Sequence, residues 1–257
     1  MLALQISATG MMAQEHRTET VANNLANMNT TGYQRRRVEF NNLIYKNQQR
    51  PGDASSRPGE EVPGGVYSGL GVQTASIYRI STQGHLKSTA NPLDIAIEGS
   101  GYFQIQLPNG ETAFTRNGTF QLSPEGSIVT HDGFPLQPNI TVPANAQDIT
   151  INSSGTVLAT VPGQDAPANV GTIQLALFPN EGGLRSVGDG LYTPTTQSGG
   201  PAVAVAGEGG GTILQGFVES SNVNPIEEIT NLIRAQRAYD MNSKVMQTAD
   251  QMSAPSR

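Results

Sequence analysis

The sequence predicts an α+β fold, with long N- and C-terminal α-helices forming a coiled-coil-like domain and a mainly antiparallel β central domain between them. Three observations carry that expectation. Residues at both ends recur at alternating spacings of three and four, the pattern of a helical seam. Between the ends, short apolar runs alternate with turn signals about every 8 to 12 residues, as in a sheet of sequential antiparallel pairs. Charged residues are only 14% of the 257, against 29 Gly and 16 Pro, a balance that suits many turns and short strands.

The C-terminal helix has a sharp start. Asn224 is a good N-cap, Pro225 fits the first helical position where no N–H is needed, and Glu227 and Glu228 place negative charge on the positive end of the helix. Leu232, Ala235, Tyr239, Asn242, Met246 and Ala249 then form an a/d seam with one polar position. Ile226, Ile229, Ile233, Ala238, Met241, Val245 and Met252 lie off that seam, so the helix expects more than one neighbour.

At the other end, Leu4, Ala8, Met11, Glu15, Thr18, Ala22 and Leu25 keep the same alternation over residues 3 to about 28, a helix roughly 39 Å long. Gly10 interrupts it, and such a weak seam depends on tertiary packing. Two arrangements fit: the terminal helices pack on each other within one globular domain, or they pack among copies of themselves.

The first helix runs into Asn23-Asn24-Leu25-Ala26-Asn27-Met28-Asn29-Thr30-Thr31-Gly32-Tyr33, where Asn and Gly turn the chain. Residues 33 to 45 alternate loosely and fit either an extended or a short helical segment. Residues 46–65 hold Pro51-Gly52, Pro58-Gly59 and Pro63-Gly64, which reads as a linker or as an excursion ordered only against neighbouring subunits. Val72 to Ile80 is an expected strand. Leu93, Ile95 and Ile97 alternate with Asp94, the signature of a half-buried strand. Phe103, Ile105 and Leu107 alternate before Pro108-Asn109-Gly110, and Phe114 and Phe120 flank Asn117-Gly118, which suits a two-residue type I′ hairpin. The β pattern continues through Ile140–Val142, Ile149–Ile151, Val157–Val161, Ile173–Phe178 and Ile213–Glu219, so the middle is expected to be one β domain whose two ends emerge together.

Several function classes find no support. A net charge of −6 argues against a nucleic-acid surface, and the basic run Arg35-Arg36-Arg37 suits a solvated face or a subunit contact. The chain has no Cys, hence no disulfides and no Cys-based metal site. His16, His85 and His131 lack metal-ligand spacing, and no metal, cofactor or catalytic residue is expected. Gly207 to Thr212 lacks the Lys of a phosphate-binding loop, and Gly99-Ser100-Gly101 lacks the context of a nucleophile elbow. Asp94 and Glu98 could form a carbohydrate-cleaving pair, but only Tyr102 and Phe103 lie near them and the chain has no Trp. No stretch is long and apolar enough to insert in a membrane, and the N-terminus lacks the pattern of a cleaved Sec signal.

Two stretches carry a family resemblance. Asn23-Asn24-Leu25-Ala26-Asn27 followed by Thr31-Gly32-Tyr33 resembles the N-terminal signature of bacterial flagellar rod and hook proteins. Ser221 to Met252, with Gln236-Arg237-Ala238-Tyr239 at its centre, is similar to their C-terminal signature, and residues 69 to 103 also resemble the family. The insertion at 46–65 resembles that of the distal-rod branch, where it goes with a straight, rigid tube.

The resemblance implies a non-enzymatic subunit of the flagellar distal rod, a hollow shaft that transmits torque and passes exported subunits. It implies residues 1–32 with 221–257 as an inner tube, 33–70 as a connecting segment and 71–220 as an outer β domain. Implied partners are further copies in a helical homopolymer, proximal rod proteins, the hook protein, the surrounding L/P ring proteins and the flagellar type III export apparatus. The implied location is the periplasmic basal body. A hook or proximal rod subunit is the alternative within the family, and a secreted β-fold carbohydrate-active enzyme the alternative outside it.

Overall fold

The computed structural model describes residues 2–49, 66–163, 166–207 and 209–253. It is an α+β protein with one helix at each end, α1 (Leu2–Ala26) and α2 (Pro225–Ser253), and antiparallel strands between them. The residues group into two compact units: 1–25, 36–78 and 224–257 in one, 26–35 and 79–223 in the other.

In the helical unit α1 and α2 run antiparallel, since Gly10 lies against Asn242 and Arg17 donates to Asn231 at 3.4 Å. The side of α1 carrying Ser7, Ala13, Thr20, Val21 and Asn24 is buried. Helix α2 begins as its sequence requires: the Asn224 side chain accepts from the N–H of Ile226 at 3.1 Å, satisfying an orphan donor of the first turn. Strand Arg36–Asn42 pairs with Val72–Arg79, which settles the undecided segment after Tyr33 as extended. Tyr45–Gln49 pairs with Val66–Gly69, while the stretch holding Pro51, Gly52, Pro58, Gly59, Pro63 and Gly64 lies outside the described residues.

The β-rich unit is built on a seven-stranded sheet in which Tyr102–Gln106 is central, flanked by Thr112–Thr115 and Gln174–Leu177. A three-stranded sheet, Asp148–Ile151, Thr156–Thr160 and Ala168–Thr172, adds to the core. Ile95, Phe103, Ile105, Ile128, Leu136, Val157, Ile173 and Leu175 are essentially inaccessible there, each large side chain contributing roughly 1.5–3 kcal/mol of burial. A second cluster, Tyr102, Phe114, Phe178, Leu184 and Tyr192, is held by edge-on ring contacts such as Phe114 to Phe178 at 4.8 Å.

Two local expectations are corrected. Asn117-Gly118 does not close a hairpin between Phe114 and Phe120, because Phe120–Leu122 pairs with Ile128–Thr130 instead. Asn117 turns the chain by accepting from the N–H of Thr119 at 3.2 Å, and Gly118 is required for space, since its carbonyl accepts from Ile95 N–H at 2.9 Å with no room for a Cβ beside Ile95. The strand Ile95–Glu98 is not half-buried either. Ala96 is as inaccessible as Ile95 and Ile97, and Asp94 before it is buried against the Asn91 side chain at 3.0 Å. Alternation of apolar and small residues does not reveal that both faces are covered.

Candidate functional site

The side chains with the clearest structural roles lie where elements meet. In the helical unit Asn24, fully buried near the end of α1, uses both ends of its amide on one residue: Nδ2 donates to the Arg36 carbonyl and Oδ1 accepts the Arg36 N–H, each at 2.8 Å. Thr9 places its hydroxyl against Gly71 and accepts from Val72 N–H at 3.3 Å, so α1 also holds the partner strand.

In the β-rich unit the first segment and the last strands are tied together. Gly32, at φ +68°, donates to the Glu219 carbonyl at 2.8 Å, and a Cβ on it would lie 2.8 Å from the Arg116 backbone. Only glycine combines that conformation with that approach. Asn222 accepts from Arg35 N–H at 2.7 Å and donates to the carbonyls of Ile80 and Thr82. The expectation that the β domain is entered and left at neighbouring points thus has a definite bonding basis.

Beneath this junction lies a buried ion pair, Arg116 to Glu219 at 3.4 Å, with each side chain only 3% exposed. Glu219 also accepts from Gly84 N–H at 3.0 Å, and Arg116 donates to the Gly99 carbonyl at 2.8 Å and lies over the Tyr102 ring. Burial pushes the Glu219 carboxyl above its ordinary value, against the opposing pull of Arg116 and the Gly84 N–H. A raised folded-state value means stability that is present below the ordinary 4.5 and is lost as pH climbs through the raised value. The stability of the wild type relative to Glu219→Gln is therefore expected to fall as pH rises from about 4 to 7. Urea midpoints of both proteins across that range check it, and a constant difference would contradict it.

The seam residues are distributed unevenly. On α2, Ala235 is fully buried and Leu232, Met246 and Ala249 are half-buried, whereas Ile229 and Tyr239 are 45% and 43% exposed. On α1, Leu4, Ala8, Met11 and Leu25 are half-buried and Ala22 is exposed. Away from the seam, Ile226 is 77%, Met241 61% and Met252 83% exposed. Of the signature residues, Asn24 and Gly32 are buried, Asn27, Thr31, Tyr33 and Ala238 half-buried, and Asn23, Ala26, Gln236 and Arg237 exposed. Asp94 and Glu98 engage Asn91 and Thr212 respectively. Among the described residues no group of three acidic or histidine side chains could hold a metal ion, and no helix is long and apolar enough to cross a membrane.

Comparison with known proteins identifies the family. Residues 4–34 match the family described as flagella basal body rod protein, 96–159 the flagellar hook protein FlgE/F/G D1 domain, and 214–254 the flagellar basal body rod FlgEFG protein C-terminal region. The flagellar basal-body rod protein FlgG of Caulobacter vibrioides is 53% identical over 253 residues, covering 98% of this chain and 97% of its own. This chain belongs to the flagellar basal-body rod protein family. Within that family it is most like the FlgG members. FlgG of Agrobacterium fabrum is 46% identical over 99% of this chain and 97% of its own, whereas FlgF of Caulobacter vibrioides is 32% identical over 98% and 94%. The family is structural and not enzymatic.

Sequence reasoning found Asn24 and Gly32 through the signature and Asn224 through its capping pattern. It did not find Arg116, Glu219 or Asn222, whose partners lie more than 100 residues away in the chain.

Proposed function

We propose that this chain is a structural subunit of the distal part of the flagellar rod, polymerising head to tail into a stiff hollow shaft that transmits torque to the hook and passes exported subunits. The observation that supports it best is the row of exposed apolar side chains on α2, from Ile226 through Ile229 and Ile233 to Met241, Val245 and Met252. Such a row on a long helix costs solubility unless neighbouring copies cover it. The a/d residues, with Ala235 buried and Asn242 against Gly10 of the same chain, would hold the helices of each subunit together, and the exposed row would pack them against neighbouring copies to build the wall of the tube. The greater identity to FlgG than to FlgF supports placing this chain with the FlgG branch of the family.

The same reading implies export through the flagellar type III apparatus without a cleaved signal, a place in the periplasmic basal body, and contacts with proximal rod, hook and L/P ring proteins. It also gives the 46–65 segment a stiffening role. Electron microscopy of concentrated wild-type protein should show straight filaments. Leu232→Asp should abolish them while the β-rich unit keeps its thermal transition, because the charge falls on the seam and outside that unit. Filaments unchanged by Leu232→Asp would remove the seam from the assembly.

A further inference from the structure

Two surfaces of the helical unit adjoin along α2 and are complementary. One is a groove between α1 and α2 lined by Glu15, Thr18, Glu19, Gln236, Tyr239 and Asp240. Its lining includes three carboxylates and no cation, and its apolar part is the half-exposed Tyr239 ring; Glu19 additionally meets His16 at 3.3 Å. The other is the stripe Ile226, Ile229, Ile233 and Arg237, spaced by three and four and flanked by exposed Arg234. Ile233 and Arg237 each lie two residues, or roughly 200° of turn, from the fully buried Ala235, so this stripe faces away from the packed side of α2.

The geometry points to a specific contact between copies: the groove of one subunit receives the Ile226–Arg237 stripe of the next, with Arg234 and Arg237 set against Glu15, Glu19 and Asp240. This rests on the assembly function proposed above and adds its direction and its charge code. Each side of the contact supplies what the other lacks. The isoleucines cover Tyr239, and the guanidinium groups meet carboxylates at the rim, where charge sets register and partner choice more than affinity. Because its two faces differ, the groove-to-stripe contact is heterologous, and it propagates as a filament when the rotation between successive copies does not close a ring.

Charge exchange tests the contact on the full-length chain. Glu15→Arg with Glu19→Arg makes both surfaces basic, and Arg234→Glu with Arg237→Glu makes both acidic. All four positions are surface charges, so circular dichroism of each variant should match wild type. Each variant alone should raise the critical concentration for filament formation at least about tenfold, as like charges are juxtaposed. An equimolar mixture of the two should assemble near the wild-type concentration, and so should one chain carrying all four substitutions. Either variant assembling as wild type, or no recovery in both the mixture and the fourfold chain, overturns the contact while leaving the assembly function intact. If the wild-type chain itself never forms filaments, the function fails and this contact with it.

Discussion

Arg116→Ala is expected to lower the unfolding free energy of the β-rich unit by about 3–5 kcal/mol at pH 7, the cost of leaving one member of a buried ion pair without the other. Glu219 would remain 3% exposed with only the Gly84 N–H to bond, and the Gly99 carbonyl would lose its donor. Urea denaturation followed by circular dichroism measures the deficit. Because Glu219 already favours its protonated form more than an exposed glutamate does, the deficit should shrink toward pH 4, where the carboxyl takes up a proton and no longer needs a cation. A loss below about 1 kcal/mol at pH 7, typical of an exposed pair, would show that solvent reaches this pair.

Gly118→Ala should cost a further large amount, about 3 kcal/mol or more, through a different mechanism. The added methyl would overlap the Ile95 carbonyl oxygen, and relief requires moving backbone, since Ile95 is fully buried and its N–H is bonded to the Gly118 carbonyl at 2.9 Å. The strand that begins there, Ile95–Glu98, pairs with Thr212–Gln215, so the disturbance spreads to the last third of the chain. Gly110→Ala supplies the comparison. Its glycine has open space around it and a φ of +84°, so the substitution carries only the left-handed backbone penalty of about 1–2 kcal/mol. Thermal transitions of the two variants should differ clearly, and equal shifts would mean that the crowding at Gly118 is relieved without cost.

The parts of the fold legible in the sequence are those governed by neighbours in the chain. The start of α2 at Asn224-Pro225 and the alternation of Phe103 and Ile105 on a central strand depend on a few adjacent residues. Asn117-Gly118 was misleading because the same dipeptide serves a tight hairpin or a close backbone approach, and only the distant Ile95 decides between them. The seams at the two ends were visible as patterns, but the face that α1 buries within its own unit sets Ser7, Thr20 and Asn24 beside Ala13 and Val21 and lies one or two positions off the apolar repeat. Arg116 and Glu219 give no local signal at all. A charged residue flanked by Thr115 and Asn117 looks exposed until the fold brings its partner from 103 residues away.

The amide of Asn24 has a consequence for how the chain behaves in a crowd. By giving Arg36 both a donor and an acceptor, it seals the first peptide groups of the strand Arg36–Asn42, where an unsealed border would recruit a foreign strand. Aspartate at this place could only accept and leucine could do neither. Either change would leave at least one backbone group of Arg36 without that partner at the very start of the strand.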